Sequence, residues 1–429
     1  MSRLNAALFH KIEHYMNEKK WNKVDLSKHS GIHISDISRV FNNKQPLSLK
    51  HFDAIIQALG LAEDSLYSFY IEECYNEKQC FDKRRSVQFL HKCMTNGYEK
   101  QYQDMLHIML GETSDTIRST YLAYIFLLAE KLFTEGKEEL ALILYDLIIE
   151  NEQNHFSEQL AISYFRKFYI TRLTEKGQDL LTCVLEHLAH MPQEIRKEAY
   201  LWITAFYYRG GQWKDVLYYA KRLENMVKEG DYYGRALMYQ CFALTRLEGS
   251  LEDVLALIKQ YEQVNEYFAE MAVGNRYVAL LDFGKLEYAD EYLVWIANRE
   301  DMYVGLPRIF DAYVSLNRLE DAKELLHRYA HIIEDMAVSK AWLKQKMHLD
   351  FRYVHALYLC KGRQFLEGLN ELLELMYTTT LIGNTEMLKK CLLVYWEYKE
   401  HATAKQVEKY MELLRTRENN EAYLTGLVL

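Results

Sequence analysis

The chain has 429 residues, of which 49% are hydrophobic and only three are prolines. This length exceeds one ordinary hydrophobic core, so we expect two domains or a repeat array. The scarcity of proline, with long stretches rich in Leu, Glu, Lys, Ala and Tyr, predicts an all-α fold, and the aromatic content of 14% excludes a globally disordered chain.

The net charge of −9 is unevenly distributed along the chain. Residues 1–51 contain nine Lys or Arg and four acidic side chains, a net charge of +5, which leaves −14 for the remainder. A cationic head on an acidic body is typical of a protein that meets phosphate groups with one end only. We therefore expect nucleic-acid binding at the N-terminal end.

The seven cysteines are irregularly spaced and include no CxxC pair, a pattern that indicates reduced thiols. The N-terminal segment lacks the apolar region of a signal peptide, and the apolar run at residues 121–129 is too short to cross a bilayer. We expect a cytoplasmic protein with no membrane partner.

Residues 24–41 have the spacing of a helix-turn-helix motif. Two helices that cross steeply need a small residue where they touch, and Ser27 occupies that position. Gly31 follows where the sharp turn favours a positive φ angle. Four apolar side chains would seat the second helix on the first: Leu26, Ile32, Ile37 and Val40. A small helical bundle of another kind is the alternative interpretation of Gly31 between two apolar helices.

Flanking amphipathic helices would complete a small bundle over residues 1–65. The helix before the motif carries Leu8, Phe9, Ile12, Tyr15 and Met16, and the helix after it carries Phe52, Ile55, Ile56 and Leu59. Pro46 with Ser48 marks the start of the later helix. We assign residues 1–65 to a DNA-binding domain, 66–85 to a helical linker and 86–429 to a repeat domain.

The stretch GIHISDISRVFNNKQPLSLKHFDAIIQALGL, residues 31–61, resembles the Xre/Cro/C1-type helix-turn-helix family. His33 replaces the family's usual small polar N-cap, so we expect a less firmly capped first turn, and Ser27 replaces the commoner alanine. The resemblance implies that one set of residues faces the DNA major groove: Ile34, Ser35, Asp36, Ser38 and Arg39. It implies phosphate contacts by Asn42, Asn43 and Lys44. Arg39 is the candidate for bidentate contact with guanine, the alternative being a solvated charge.

The rest of the chain predicts repeated helical hairpins. A turn residue recurs at intervals of 33 to 45 residues: Gly97, Gly136, Gly177, Gly211, Gly249, Gly284, Asn317 and Gly362. Five positions later a small or β-branched residue often allows two helices to approach: Ala141, Thr182, Val216, Val254, Ala289 and Ala322. The pattern resembles degenerate tetratricopeptide repeats over most of residues 85–415, which implies a right-handed α-solenoid with a concave binding surface; another type of α-solenoid is the alternative.

An Xre-type head followed by tetratricopeptide-like repeats resembles the peptide-pheromone receptors of Gram-positive bacteria and their phages. This is the Rap, Rgg, NprR, PlcR and PrgX family, which includes the phage arbitrium receptor AimR. The resemblance implies a transcriptional regulator, a homodimer whose binding to a double-stranded DNA operator is switched by a short signalling peptide on the concave surface, as in quorum sensing or phage lysis–lysogeny control. The alternative is a protein-binding regulator that sequesters a partner or acts on a response regulator.

Candidate peptide-binding residues follow from the repeat register, in which the first helix of each hairpin lines the concavity. Counting back thirteen, ten, six, three and two positions from each turn selects polar and aromatic candidates: Tyr164, Lys167, Tyr208, Arg209, Tyr239, Arg246, Asp311 and Arg352. Asn275 lies beside this stripe. Such side chains would pair with the backbone groups and charged ends of a peptide. The alternative for each of them is a role in helix packing or a solvated position on the surface.

Two further segments are predicted to transmit a signal. The linker contains Tyr67, Phe69, Tyr70, Ile71 and Tyr75, so we expect it to pack as a helix and couple the two domains. The C-terminal hairpins are the candidates for dimer contacts, through Leu392, Leu393, Tyr395, Trp396, Tyr410 and Leu413.

Motifs of catalysis are missing from the sequence. It has no Gly-rich phosphate loop, no GxSxG and no HExxH, so we expect no enzyme activity and no cofactor. His327 and His331 are four residues apart, but no third ligand accompanies them, and we expect no metal site.

Overall fold

The computed structural model describes residues 6–174, 176–247 and 249–415, and within them it contains α-helices and no β-strand. The all-α prediction is confirmed for this part of the chain. The chain divides into two compact units, Met1–Pro192 and Gln193–Leu429. No helix among these residues is both long and apolar enough to cross a membrane.

The first unit contains the predicted helix-turn-helix, the linker and the first hairpins. Its helices are α1 Ala6–Glu18, α2 Lys23–Ser30, α3 Ile34–Phe41, α4 Leu49–Leu59, α5 Tyr67–Tyr70, α6 Lys83–Thr95, α7 Glu99–Leu110, α8 Asp115–Thr134, α9 Glu138–Asn151, α10 Glu158–Thr171 and α11 Lys176–His187. Short 3-10 turns cover Ile71–Cys74 and Leu188–His190.

The second unit continues with helices of similar length. They are α12 Gln193–Arg209, α13 Trp213–Met226, α14 Gly230–Arg246, α15 Leu251–Tyr261, α16 Glu266–Asp282, α17 Ala289–Ile296, α18 Met302–Ser315, α19 Leu319–Arg328, α20 Ala330–Val338, α21 Trp342–Lys361, α22 Phe365–Leu381, α23 Thr385–Tyr398 and α24 Ala404–Arg415. Short 3-10 turns cover Leu286–Tyr288 and Lys399–His401.

The turn between α2 and α3 has the geometry that the sequence predicts. Gly31 has a φ of +70° and donates its N–H to the carbonyl of Ser27 over 3.0 Å. The Ser27 hydroxyl donates to the Ile32 carbonyl over 2.6 Å, which fastens the turn to the first helix. The four predicted seating residues are at most 6% exposed: Leu26, Ile32, Ile37 and Val40. The helix-turn-helix arrangement therefore rests on a complete apolar core.

The N-cap of α3 differs from the expectation. His33 accepts the Ser35 N–H at Nδ1 over 3.3 Å and pairs with the Ser35 hydroxyl over 2.7 Å. The imidazole therefore takes the role of the missing small polar side chain, because its Nδ1 reaches the same orphan N–H. Ser48 caps α4 as predicted, by accepting the His51 N–H over 3.3 Å.

Most predicted turns lie where two helices meet. Left-handed backbone, with φ between +57° and +78°, occurs at Gly97, Gly136, Gly211, Gly284 and Asn317. One turn prediction is wrong, because Gly177 lies in the first turn of α11. Gly249 and Gly362 lie between two helices as predicted, although the left-handed residue in the second of these turns is Arg363. Because Gly177 is helical, Thr182 is exposed, whereas Ala141, Val216, Val254, Ala289 and Ala322 are buried as predicted.

The predicted linker is helical only in part. α5 and the 3-10 turn end at Cys74, and an antiparallel bridge joins Tyr75 to Phe81 before α6 begins. Tyr67 and Tyr70 are fully buried, and the Tyr70 hydroxyl donates to the Leu47 carbonyl over 2.9 Å. The segment is thus packed against the helix-turn-helix rather than extended as a tether.

A single lysine joins the helix-turn-helix to the first hairpin. Lys92 on α6 lies 2.7 Å from the carboxylate of Asp53 on α4 and 2.6 Å from that of Glu63. The Tyr67 hydroxyl donates to Asp53 over 3.1 Å, and the Tyr98 hydroxyl donates to Glu63 over 2.9 Å. Two carboxylates are held side by side by this ammonium group, and Lys92 and Tyr98 lower the pKa of Glu63.

We predict that Lys92→Met lowers the free energy of unfolding by about 1–2 kcal/mol, because two partly buried carboxylates lose their shared cation. Urea denaturation of the full chain, followed by circular dichroism, measures the change. The control is Lys83→Met, an exposed lysine on the same helix, which should change stability by less than about 0.5 kcal/mol. Equal effects of the two variants would contradict the linking role of Lys92.

Candidate functional site

The exposed side of α3 carries the predicted DNA-reading residues. Ile37, Val40 and Phe41 bury the inner side of this helix. The predicted set lies on the side that remains accessible, with partly exposed Ile34, Ser35, Asp36 and Ser38 and exposed Arg39. The loop residues Asn42, Asn43 and Lys44 are all exposed after the end of α3.

Arg39 has neighbours on its own helix. Its Nη2 lies 3.5 Å from a carboxylate oxygen of Asp36 and 3.4 Å from the Ser35 hydroxyl. The Arg39 side chain is 54% exposed, so water competes with both contacts. These contacts aim the guanidinium along the outer face of α3 without burying it.

An open groove lies in the second unit, and the space enclosed within it is about 50 Å³. Five helices and one turn supply most of its walls: α14, α16, α18, α21 and α23, with the α12–α13 turn. Tyr208, Trp213 and Phe242 form an aromatic side. The charged side chains in the lining are Arg246, Asp282, Arg308, Lys346, Asp350, Glu386 and Lys390.

Asp282 is the central carboxylate of the groove. Its two oxygens lie 3.4 Å from Arg246 on α14 and 3.6 Å from Arg308 on α18. Burial disfavours the charge on Arg308, but Asp282, Asp350 and two nearby tyrosines together outweigh it and raise the pKa of the guanidinium. The buried Nε of Arg308 has no hydrogen-bond partner among the described residues. This Nε instead faces Oδ1 of Asp282 at 3.6 Å, just beyond hydrogen-bond distance, so the pairing is a loose ionic contact.

A second pair lies on α21, where Lys346 is 3.2 Å from Asp350. Burial opposes the charge of both groups, yet Asp350 raises the pKa of Lys346, and Lys346 with Arg308 lowers the pKa of Asp350. The Lys346 ammonium also lies 5.1 Å from the centre of the Tyr208 ring, within cation–π range. Both groups therefore stay charged at neutral pH.

Asp311 has a different environment. It is exposed to water, and its described partner is the hydroxyl of Ser315. Although part of the carboxyl meets water, desolvation by the neighbouring helices and the negative charge of Asp282 raise its pKa, and Lys390, Ser315 and Arg246 offset this only in part. In the described part of the chain, Asp311 has no ion pair within 4.0 Å. A cation from outside the protein would relieve this repulsion.

The predicted peptide-binding residues fall into three groups. Tyr208, Arg246 and Asn275 line the groove, and Asp311 lies close enough to Asp282 to feel its charge. The others in the second unit point elsewhere: Tyr239 is buried against Tyr208, Arg209 stacks on Phe206, and Arg352 pairs with Glu371 and Glu374 of α22. Tyr164 and Lys167 belong to the first unit, where they contact His187 and Asp146.

Several groove residues were missed by the sequence analysis: Trp213, Asp282, Arg308, Lys346, Asp350, Glu386 and Lys390. A usable signal was present in α18, where Arg308 and Asp311 are polar residues three apart in an otherwise apolar helix. In α21 the inward-facing positions were counted back from Gly362, which selected Arg352. Counting back from Arg363, the residue with left-handed backbone, selects Asp350 instead. Trp213 and Glu386 meet through tertiary packing and carry no local signal.

The chain was compared with two sets of known proteins. Neither protein-family models nor curated proteins match the chain. Within residues 6–174, 176–247 and 249–415, no group of three or more His, Cys, Asp or Glu side chains is placed to hold a metal ion.

We predict that Asp311→Asn raises the melting temperature of the ligand-free protein at pH 7. The folded-state pKa of Asp311 is raised, so its ionisation costs stability at neutral pH, and that cost disappears as the pH falls below the ordinary Asp pKa of about 4. Differential scanning fluorimetry between pH 7 and pH 4 should show the variant's advantage shrinking.

The matched control is Asp290→Asn. Arg318 and Tyr313 lower the pKa of Asp290, so this carboxylate contributes stability above the ordinary Asp pKa, and its removal should lower the melting temperature at pH 7. If Asp311→Asn also lowered it at neutral pH, the assignment of Asp311 as an uncompensated charge would be wrong.

Proposed function

We propose that the chain is a transcriptional regulator whose helix-turn-helix binds a double-stranded DNA operator under the control of a short signalling peptide. The observation that carries this proposal is the complete α2–α3 helix-turn-helix, which buries its apolar side and exposes the polar side of α3. The same chain holds a groove with charges of both signs in its second unit.

The electrostatics of the N-terminal segment support DNA binding. Residues 1–51 carry a net charge of +5 on a chain with a net charge of −9. Arg39 supplies a planar fork of donors that matches the O6 and N7 acceptors of guanine. Asn42, Asn43 and Lys44 are exposed at the end of α3, where phosphate contacts would set the register of the helix on the duplex.

The repeat domain is proposed to be a right-handed α-solenoid of degenerate tetratricopeptide-like hairpins. Within each unit, most helices pack against the next helix along the chain. Small buried residues, among them Ala141, Ala289 and Ala322, lie early in the second helix of a hairpin, where two helices approach closely. Stacked hairpins of this kind present extended surfaces to peptides.

The chemistry of the groove suits a short peptide. A peptide carries an ammonium end, a carboxylate end and backbone donors and acceptors that need partners. Arg308 pairs only loosely with Asp282, at 3.6 Å, and its guanidinium could also bind a carbonyl or carboxylate. Asp311 has no ion pair within 4.0 Å among the described residues and could bind a cationic group. Tyr208, Trp213 and Phe242 offer an aromatic side for apolar residues. We therefore propose a peptide with at least one basic group.

The active species is proposed to be a homodimer formed through the C-terminal helices. Of the six predicted contact residues, Tyr395 is buried and stacks on Tyr410, and Leu392 and Leu413 pack into the same core. Leu393 and Trp396 on α23 are 71% and 60% exposed. On α24 a stripe of three apolar residues is exposed: Val407, Met411 and Leu414. A second copy covering these faces would bring two recognition helices to one operator.

The first test is binding of the full-length protein to DNA from upstream of its own gene. We expect specific binding, and we expect synthetic peptides encoded by a neighbouring small reading frame to strengthen or abolish it. Fluorescence anisotropy at several salt concentrations separates specific binding from electrostatic attraction. Absence of DNA binding even at low salt would overturn the proposal in favour of a protein-binding regulator.

Arg39 and Lys44 should affect DNA binding differently. Arg39→Ala should weaken specific binding by about 1–3 kcal/mol and relax the preference at one base pair, whereas Lys44→Ala should weaken binding to all sequences and reduce the salt slope by about 1. The control is Arg39→Lys, which keeps the charge but loses the planar fork. Full specificity in Arg39→Lys would show that Arg39 contacts phosphate rather than a base.

A further inference from the structure

One contact in the second unit joins elements that are remote in sequence. The indole Nε1–H of Trp213, at the start of α13, donates a hydrogen bond to Oε2 of Glu386, in the first turn of α23. The two residues are 173 positions apart. Beside them, a Cβ on Gly211 would lie 3.2 Å from Oδ1 of Asn384, so the Asn384 side chain packs closely against the Gly211 backbone. We call this the gate contact.

The gate contact lies at the groove itself. Gly211 and Trp213 line it from one side, and Asn384, Glu386 and Lys390 line it from the other. The Trp213 ring also packs edge-to-face on Tyr208, with ring centres 5.6 Å apart. The hydrogen bond therefore connects two sides of the groove. A ligand that occupies the space between α13 and α23 has to break it.

Each side of the gate contact has other interactions that keep it in place when the Trp213–Glu386 hydrogen bond breaks. Glu386 pairs with Lys390 over 3.0 Å on its own helix, so it keeps a cation when the indole leaves. Asn384 caps α23 by accepting the Met387 N–H over 3.0 Å. Burial opposes the charge of Glu386, but Lys390 and Trp213 together lower the pKa of its carboxyl. Separation thus costs one charge-assisted hydrogen bond and leaves α23 intact.

We propose that the Trp213–Glu386 contact is a gate that opens transiently and controls the exchange of ligand with the groove. The proposal rests on the proposed role of the groove as the peptide site. The same helix, α23, carries the exposed Leu393 and Trp396 in its second half.

Cysteines provide a readout that needs no ligand. Cys241 lines the groove, is 2% exposed, and burial raises its pKa to about 12. It reacts with a thiol reagent only when the groove opens locally or the protein unfolds globally. Cys360 on α21 and Cys93 on α6 are equally buried but do not line the groove. Their labelling reports global unfolding.

The experiment measures N-ethylmaleimide labelling of each cysteine in the full-length protein by peptide mass spectrometry. Trp213→Phe keeps an aromatic ring and removes the donor. It should raise the labelling rate of Cys241 about tenfold, which corresponds to about 1.4 kcal/mol in the opening equilibrium. Labelling of Cys360 and Cys93 should not change.

The matched control is Trp342→Phe. Trp342 packs edge-to-face on Tyr208 as Trp213 does, with ring centres 6.1 Å apart, and none of its described hydrogen bonds reaches α23. It should leave Cys241 labelling near the wild-type rate. Glu386→Gln is a second variant, which keeps the side-chain volume and weakens the hydrogen-bond acceptor. It should also raise the labelling rate of Cys241.

An unchanged Cys241 rate in both gate variants would overturn the proposal, as would equal acceleration of Cys241 and Cys360. No DNA and no peptide enter this measurement. The Cys241 labelling rate can therefore rise in the gate variants whether or not the protein binds its upstream DNA. Failure of one proposal does not imply failure of the other.

Discussion

A charged side chain stays ionised inside a crowded groove only when an opposite charge lies close to it, and this constraint organises the second unit. Asp282 on α16 pairs with Arg246 on α14 and Arg308 on α18, so one carboxylate connects three helices. Lys346 and Asp350 meet the same requirement within α21. Removing one partner of such a set leaves a charge that burial penalises by several kcal/mol. The groove is therefore largely formed before any ligand arrives.

The first unit is held by a different interaction, the burial of apolar surface. Its core runs without interruption from Leu8 in α1 to Ile148 in α9, and Tyr67 and Tyr70 of the linker lie fully inside it. Lys92 adds an ionic contact between the helix-turn-helix and α6 at the edge of this core. A loose tether between the helix-turn-helix and the helices that follow α5 is therefore inconsistent with the packing. A signal that reaches the head has to move the unit as a body or strain its core.

The sequence predicted best where a local pattern determines structure. The small residue and glycine of the α2–α3 turn, and the apolar residues around them, are local, and the structure places them as expected. The groove was predicted in part, because its residues come from helices whose relative rotation depends on packing. Tyr208, Arg246 and Asn275 fell in the correct register, while Arg352 pairs with α22. Trp213 could not be predicted, since its partner is 173 residues away.

Two carboxylates in the second unit, Asp290 and Asp311, differ in their ion pairing, and this difference distinguishes a structural role from a functional one. Asp290 has Arg318 2.9 Å away and a pKa below its usual value, which is the sign of a carboxylate that stabilises the fold. Asp311 has a raised pKa, because burial and the negative charge of Asp282 both disfavour its ionised form. A fold selected for stability alone would gain from replacing this carboxyl by a neutral side chain. Its retention is therefore consistent with the proposed binding of a cationic group at Asp311.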